Sequence, residues 1–356
     1  MKILYFEREI SGHRLPHLSS IIHGNGAESI IVCSEKIPSI DCKQYVLKNV
    51  EGKKRSFRAF LKMLDEIKSI CAIEKPDIVH FTDGNIFYRY FGAGLTKFKK
   101  YKTVLTNHNA EEDFLHRLSA KIIASRVNVV TVTSEYSKIV FERSGAKNVV
   151  NIEYPQLNDL FFDKKTSMEY FGIKTSAPII SCIGGTRYDK GLDIILKALK
   201  KVSCPFHLLI AGNAEYFTES YIDQETESYK DSVTKVLRFL TDEELAMAIS
   251  CSDFVAVPYR RGFNGASGPL GEGVWRDKCI IGPISENLGT IIENHHLGYT
   301  FEQENPESLT TVLNNALMSP FTIDDEYKKY KSIINHNSFE KSYRELYMSL
   351  LTKKGN

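Results

Sequence analysis

The chain has 356 residues, of which 42% are hydrophobic, and its formal net charge is +2. This length allows two domain cores, and the near balance of charge argues against a nucleic-acid-binding protein. The seven cysteines are scattered without a Cys-x-x-Cys pair, which argues against a disulfide framework or a zinc site and favours a reducing compartment. No stretch approaches 18 apolar residues, and Glu7, Arg8 and Glu9 interrupt the N-terminal apolar run. We therefore expect a cytoplasmic protein without a membrane span or signal peptide.

The first 155 residues alternate between short apolar runs and amphipathic segments. The runs predict strands, and the amphipathic segments repeat apolar residues at helical spacing. This alternation is typical of a parallel sheet with helices on both faces, so 1–155 is predicted to be a Rossmann-like domain. The predicted strands are 2–6, 29–33, 77–81, 103–106, 127–132 and 149–153, and the predicted helices are 16–23, one beginning near 56, and 137–144.

The alternation restarts after the linker-like residues 154–157 and predicts a second Rossmann-like domain over 156–335. Thr241 and Glu244 have the spacing of a capping box at the start of one helix. Residues 336–356 are predicted to form a C-terminal helix that packs back on the first domain. The remaining predicted elements are strands 179–183, 207–211, 233–238, 254–257 and 279–281, and helix 193–202.

Residues 253–283 combine a strand, a glycine-rich loop, a helix and a second strand. Pro269 stands where a first helical residue is expected, with Ser267 or Gly268 as its cap. Such a unit predicts a phosphate-binding site, because N–H groups at a helix start face an anion and glycines let it approach the backbone. A tight turn without a ligand is the alternative interpretation.

The first turn of this helix carries two further expectations. We expect the N–H groups of Leu270 and Gly271 to be free to face the anion. The carboxylate of Glu272 is poorly placed for a phosphate but suits the two hydroxyls of a sugar diol. The alternative for Glu272 is an acidic residue favoured only by the helix dipole.

The order of these segments resembles glycosyltransferase family 4, the retaining sugar-nucleotide transferases of GT-B fold. The resemblance covers most of the chain and is strongest from residue 127 onward. It implies two Rossmann-like domains facing across a cleft, an acceptor-binding domain over 1–155 and a nucleotide-sugar-binding domain over 156–335. The implied donor is a nucleoside diphosphate sugar, and neither a metal ion nor another cofactor is implied. The segments that carry it are VVTVTSE at 129–135, IG…KGLD at 183–193, LIAG at 209–212, LTDEEL at 240–245, SDFVAVP at 252–258 and the loop and helix start at 264–272.

Site residues follow from positions that match the family. Lys190 and Arg187 are implied to stabilise the departing diphosphate, because a retaining transferase must hold that charge as the anomeric carbon gains oxocarbenium character. His108 is implied to contact the transferred sugar. The implied substrate-binding residues are Gly12, His13, Phe239, Leu240, Asn264, Gly265, Ser267, Gly268, Pro269, Leu270 and Glu272.

Their roles differ. Gly12 and His13 follow the first strand, close to the diphosphate and acceptor, and Glu272 is implied to hold the ribose. The base is implied to lie against the backbone of Phe239 and Leu240. Plainer alternatives stay open, such as a structural histidine at 108, a capping or surface histidine at 13 and a solvated lysine at 190.

Two positions depart from the family pattern. Asn264 stands where the family has a glutamate eight residues before Glu272, and Gly185 stands where an arginine follows the first glycine. Arg187, Arg260 or Arg261 is expected to substitute for that arginine. These departures leave nucleotide binding in place and the identity of the sugar open.

The function implied is that of a retaining hexosyltransferase. It would move a hexose-type sugar from a nucleoside diphosphate donor to a glycan or polyprenyl-linked acceptor in surface polysaccharide synthesis. Two alternatives stay open, a non-catalytic nucleotide-sugar-binding partner of another transferase and a GT-B nucleotide-sugar epimerase.

Two basic segments with interleaved aromatic residues suggest peripheral contact with the inner face of a membrane. Solvated surface faces are the alternative. The basic residues are Lys53, Lys54, Arg55, Arg58 and Lys62 in the first segment, and Lys97, Lys99, Lys100 and Lys102, around Phe98 and Tyr101, in the second.

Overall fold

The computed structural model describes residues 1–8, 14–50, 56–156, 158–263 and 265–352. The chain divides into two compact units. The first includes Met1–Pro155 and His336–Asn356, and the second includes Gln156–Phe263 and Ser267–Asn335.

A parallel sheet forms the centre of the first unit. In the described residues it has seven strands in the order β3-β2-β1-β4-β5-β6-β7, and every pair is parallel. The edge strand β3 was not predicted because its sequence, Lys-Gln-Tyr-Val, is polar and only partly buried. The strands are β1 (Lys2–Glu7), β2 (Glu28–Cys33), β3 (Lys43–Val46), β4 (Ile78–Phe81), β5 (Lys102–Asn107), β6 (Val129–Val132) and β7 (Val149–Asn151).

Helices cover both faces of this sheet, and local chemistry sets where they begin and end. Ser56 accepts a hydrogen bond from the N–H of Ala59 at the start of the second helix, and Lys75 ends it in a left-handed conformation. Short 3-10 helices occupy Gly84–Tyr90 and Leu95–Phe98. The α-helices are α1 (Arg14–Gly24), α2 (Phe57–Glu74), α3 (Phe114–Ala124) and α4 (Glu135–Arg143).

The second unit has its own parallel sheet. Its described strands follow the order β10-β9-β8-β11-β12-β13, and its central strands are completely buried. Because the strands are parallel, their carboxyl ends share one edge, where ligands bind in folds of this class. The strands are β8 (Ile179–Ile183), β9 (His207–Ala211), β10 (Val233–Val236), β11 (Phe254–Ala256), β12 (Cys279–Pro283) and β13 (Gly298–Phe301).

Eight α-helices of the described chain belong to the second unit. The predicted capping box is confirmed, since the Thr241 side chain accepts from the Glu244 N–H and the Glu244 carboxylate accepts from the Thr241 N–H. The helices are α5 (Lys164–Tyr170), α6 (Leu192–Leu199), α7 (Glu219–Thr226), α8 (Asp242–Ser250), α9 (Gly268–Trp275), α10 (Leu288–Asn294), α11 (Pro306–Met318) and α12 (Asp325–Ile333).

The last helix, α13 (His336–Thr352), packs against α1 and the sheet of the first unit. Its buried Tyr347 hydroxyl lies 2.8 Å from Nδ1 of His80, whose Nε2 lies 2.7 Å from the Thr106 hydroxyl. Complete burial lowers the pKa of His80 to about 3, so the ring is neutral at physiological pH. None of the described helices combines the length and apolarity needed to cross a membrane.

Candidate functional site

A pocket in the second unit opens at the carboxyl ends of β8, β9 and β11. Gly191, at its edge, has φ +65, and a Cβ there would lie 2.1 Å from the carbonyl oxygen of Pro258. Only glycine allows the two loops to approach so closely. The lining residues are Cys182, Ile183, Gly184, Gly185, Thr186, Lys190, Leu192, Ile210, Ala256, Pro258 and Tyr259.

Lys190 is the only basic residue among the described residues that line this pocket. Its ammonium lies 3.8 Å from the ring centroid of Tyr259 and 4.5 Å from that of Phe263. At these distances the ring faces attract the cation. The Tyr259 hydroxyl lies 3.1 Å from Oγ of Ser267, the N-cap of α9. One set of contacts therefore joins the lysine to the helix start predicted to bind phosphate.

The arginines expected to assist this lysine are held by carboxylates. Arg187 donates two hydrogen bonds to Asp189, at 2.9 and 2.7 Å, which lower the pKa of Asp189 and raise that of Arg187. Arg260 donates to both oxygens of Asp193, at 2.6 and 2.7 Å, so its substitution for the family arginine is not supported. Arg261 is largely exposed.

The glycine at position 185 has a steric reason. A Cβ there would lie 2.0 Å from a carboxyl oxygen of Glu215, so a longer side chain requires Glu215 to move. The space beside Gly185 is thus taken by an acidic group, where the family pattern has a basic one.

The expectation of free N–H groups at Leu270 and Gly271 is wrong in this structure. The Leu270 N–H donates to Oγ of Ser267 at 3.3 Å, and the Gly271 N–H donates to the carbonyl oxygen of Ser267 at 3.1 Å. Ser267 is the N-cap, and its hydroxyl satisfies a donor that we expected an anion to take. Pro269 has no N–H. Within the described chain, the N–H groups of Gly185 and Gly268 have no protein acceptor.

Glu272 is buried and forms an ion pair with Arg276 one turn later, with Oε2 2.5 Å from Nη1. Arg276 also donates to the carbonyls of Asn158 at 2.9 Å and Leu160 at 2.8 Å. It therefore fixes the Glu272 carboxylate and joins α9 to the segment that opens the second unit. Arg276 is not among the predicted site residues, although an i,i+4 Glu–Arg spacing is the sequence signal of a helical ion pair.

Phe239 and Leu240 lie in the loop between β10 and α8. The Phe239 ring is 79% exposed, and its carbonyl accepts a hydrogen bond from Arg238 at 3.1 Å. Leu240 is half-buried. Their predicted contact with a base stays a prediction.

In the first unit, His108 follows β5 and is buried. Its Nε2 lies 3.1 Å from the Thr82 carbonyl oxygen, and its N–H donates to the Asn85 side chain. Arg8 and Arg14 both pair with the buried carboxylate of Asp83, at 2.9 and 2.7 Å. Arg8 and Arg14 are not among the predicted site residues. They lie six positions apart in the sequence and are brought together by Asp83, which follows β4.

Three predicted site residues, Gly12, His13 and Asn264, lie outside the described residues. Gly265 is described and half-buried. Lys53, Lys54 and Arg55 of the first basic segment also fall outside.

The second basic segment does not present its phenylalanine to a membrane. Phe98 is completely buried in the core of the first unit, because it packs against Phe81. Lys97 donates to Asp65. The part of the expectation that relies on Phe98 is therefore wrong.

An exposed acidic group stands at the start of α3. Asp113 is the N-cap and accepts from the N–H groups of Leu115 and His116. Glu111, Asp113 and His116 also bring potential metal-ligand atoms within 4.8 Å of one another. The capping bonds agree with solvated charges at a helix start.

No family model matches the sequence, and the search among curated proteins returns no match. Solved structures do match along the whole chain. A glycosyltransferase from Rickettsia africae ESF-5 is 16% identical with a TM-score of 0.81, and the alignment covers 99% of each chain. A sucrose-phosphate synthase from Thermosynechococcus elongatus is also 16% identical with a TM-score of 0.78, covering 99% of this chain and 100% of that one.

The chain has the GT-B fold.

The GT-B prediction from the sequence is thereby confirmed, with its two Rossmann-like units. A third GT-B neighbour is HepE from Anabaena, crystallised with UDP, which is 12% identical with a TM-score of 0.75 over 99% of this chain and 100% of its own. The same protein is also described in complex with UDP-glucose. At 12–16% identity these similarities establish the fold.

Proposed function

We propose that this GT-B chain is a sugar-nucleotide-dependent glycosyltransferase of the family 4 type. It transfers a hexose-type sugar, with retention, from a nucleoside diphosphate donor to a glycan or polyprenyl-linked acceptor. The observation that carries the proposal is the lysine-bearing pocket at the strand ends of the second unit. The neighbour HepE, crystallised with UDP and with UDP-glucose, supports a uridine nucleotide as the donor.

The leaving diphosphate is the centre of the proposed chemistry. As the bond to the anomeric carbon breaks, negative charge grows on the diphosphate, and a fixed cation lowers the barrier. Lys190 is positioned for this, because the Tyr259 and Phe263 rings hold its ammonium at the pocket wall. The N–H groups of Gly185 and Gly268 supply further donors.

The nucleoside is proposed to bind along α9 and the β10–α8 loop. Glu272 accepts hydrogen bonds from the ribose hydroxyls, and Arg276 acts as a positioning residue that keeps the carboxylate oriented. The base lies against the backbone at Phe239 and Leu240. Roles for Gly12, His13, His108 and Asn264 stay predictions within this proposal.

Peripheral membrane contact is part of the proposal because a polyprenyl-linked acceptor lies in a membrane. Phe57, Arg58 and Lys62 are exposed along α2, which supports contact with anionic lipid through this helix rather than through Phe98. The free cysteines agree with the predicted cytoplasmic location.

A non-catalytic nucleotide-sugar-binding partner is the second candidate function. It is favoured by the amide of Asn264 in place of a carboxylate and by the pairing of Arg187 with Asp189. Such a protein would bind the donor without breaking it.

One experiment separates these candidates. The purified chain is screened by thermal shift against UDP-, ADP- and GDP-sugars, and each stabilising donor is then incubated with the protein while nucleotide release is followed. Release above the level of Lys190→Ala supports the transferase, and NMR of the product anomer then tests retention. Binding without release supports the non-catalytic partner, and no stabilisation by any donor overturns both.

A further inference from the structure

Two tyrosine rings stand exposed beside the pocket of the second unit. Tyr188 is 52% exposed and Tyr216 is 63% exposed, and their ring centroids lie 5.1 Å apart at 64°. Tyr188 follows β8 and Tyr216 follows β9. Both rings adjoin the pocket, since neighbouring Glu215 reaches Gly185 in its lining. Neither ring lines the pocket, so both are available while a nucleotide fills it.

The loop that carries Tyr216 is fixed by Thr186, which is buried. The Thr186 N–H donates to Asn213 at 2.9 Å, and its hydroxyl donates to the Phe217 carbonyl at 2.7 Å. In return Thr186 accepts from the N–H groups of Phe217 at 3.0 Å and Glu215 at 2.8 Å. Four hydrogen bonds therefore join the loop that carries Tyr216 to Thr186, which lines the pocket.

The ring of Tyr188 packs against the guanidinium of Arg260. The Arg260 guanidinium lies 4.1 Å from its ring centroid, and Nε donates to its carbonyl at 3.0 Å. Asp193 holds that guanidinium with two hydrogen bonds. Arg260 is thus used to hold an aromatic ring at the surface, and a ring held at the surface in this way is available to a ligand.

Polar groups surround the two rings. Arg187 offers N–H donors, and the carboxylates of Asp189 and Glu215 offer acceptors, on partly exposed side chains. A pyranose ring has an apolar face of C–H groups and a rim of hydroxyls that both donate and accept. Aromatic faces with donors and acceptors at their margin match both parts of that surface.

We propose that Tyr188 and Tyr216 form a stacking platform for a pyranose unit of the glycan acceptor. This platform lies on the second unit and adds to the acceptor contacts predicted for 1–155. This proposal rests on the proposed function, because it takes the adjacent pocket as the donor site. The ligand of the platform is the acceptor sugar. The sugar ring packs on the aromatic pair, and Asp189 or Glu215 accepts hydrogen bonds from its hydroxyls.

The test is saturation-transfer NMR on the full chain with millimolar methyl α-D-glucopyranoside and methyl α-D-galactopyranoside, in the presence of UDP. The wild type is expected to transfer saturation to the ring C–H protons of at least one glycoside. Tyr216→Ala is expected to lower that transfer at least fivefold, whereas Tyr216→Phe keeps it because stacking needs the ring and not the hydroxyl. Phe114→Ala removes another exposed aromatic ring and is expected to change nothing.

Absence of transfer in the wild type, or equal transfer in wild type and Tyr216→Ala, overturns the platform. UDP binding, measured by titration calorimetry on each variant, is expected to be unchanged by Tyr216→Ala and also reports that the variant is folded. A Tyr216→Ala chain that loses UDP binding as well shows a structural role and overturns the platform. Transfer that depends on Tyr216 in a chain that binds no nucleotide supports the platform and counts against the proposed function alone.

Discussion

Arg276 and Glu272 form a buried ion pair within one helix, with Nη1 2.5 Å from Oε2. Removing one partner of such a pair leaves an uncompensated buried charge, at a cost of about 3–5 kcal/mol. Truncating the glutamate would therefore combine a folding defect with any loss of ligand binding. A test of the ribose contact therefore has to keep an acceptor oxygen for Arg276, and the folding of the variant has to be measured beside its affinity.

Glu272→Gln keeps an acceptor oxygen and is expected to weaken UDP binding about tenfold, since hydrogen bonds to a charged acceptor contribute about 1.5–3 kcal/mol. A 2′-deoxy UDP should bind more weakly than UDP to the wild type. The loss of affinity from UDP to 2′-deoxy UDP should be smaller in the variant, because the amide oxygen accepts hydrogen bonds more weakly. Calorimetric titration of both ligands on both proteins measures the four affinities, and an equal 2′-deoxy penalty in both would mean that the ribose is held elsewhere.

Arg276→Met supplies the complementary measurement. It leaves Glu272 without the ion pair shown in the structure, so chemical denaturation should show a loss of about 3 kcal/mol or more. If the folded variant also loses the 2′-hydroxyl preference, Arg276 acts by orienting Glu272. A variant that keeps the full preference would show that Arg276 is needed for folding only.

Lys190→Ala is expected to lower turnover and UDP affinity at least tenfold, or about 1.4 kcal/mol, because it removes the cation beside the proposed diphosphate. Lys201→Ala is the matched control, since it removes one surface charge of the same unit that pairs with Glu307. Its affinity should stay within twofold of the wild type. Similar losses in both variants would point to net charge rather than to a contact at position 190.

Much of the fold could be predicted from the sequence because the parallel strands are short, continuous apolar runs. Ile179–Ile183 and His207–Ala211 match their predicted bounds. Half-buried edge strands such as Lys43–Val46 and Gly298–Phe301 lack that signal, and each is completed by a single neighbouring strand. Helix ends were more accurate where a cap was visible, as at Thr241.

For the candidate site, the sequence could predict only those positions that follow from the order of strands and loops. Lys190 and Ser267 follow strands and therefore lie at the expected edge of the sheet. The sequence could not show which side chains contact each other in the folded protein. The contacts of Arg260 with Asp193, and of Glu215 with Gly185, join positions far apart in the chain, and no local spacing predicts them.

Gly191→Ala tests whether the close approach of the two pocket loops requires glycine. The new Cβ would meet the Pro258 carbonyl oxygen at 2.1 Å, and the left-handed backbone adds about 1 kcal/mol of strain. Gly172→Ala has a similar φ of +67 but open space around the Cβ, so it should show the backbone strain alone. Urea denaturation should find Gly191→Ala less stable than the control by at least about 1–3 kcal/mol. Equal losses would mean that Pro258 moves aside freely.

The buried His80 predicts how stability depends on pH. Its pKa falls from 6.5 to about 3 on folding, because burial removes the charged ring from water. Below pH 6.5 the unfolded chain binds a proton that the folded chain does not. The free energy of unfolding should therefore fall by about 1.4 kcal/mol per pH unit as the pH drops from 6 towards 3, and be insensitive to this group above pH 7.

His80→Gln isolates this contribution, because glutamine offers polar atoms to Tyr347 and Thr106 but does not titrate. The variant is expected to be less stable at pH 7, where the neutral histidine fits its two partners. Between pH 6 and pH 5 its stability curve should be flatter than that of the wild type by about 1 kcal/mol. Urea denaturation at closely spaced pH values gives both curves. Parallel curves would mean that His80 takes up its proton in the folded chain, through an opening of the contact between α13 and the sheet.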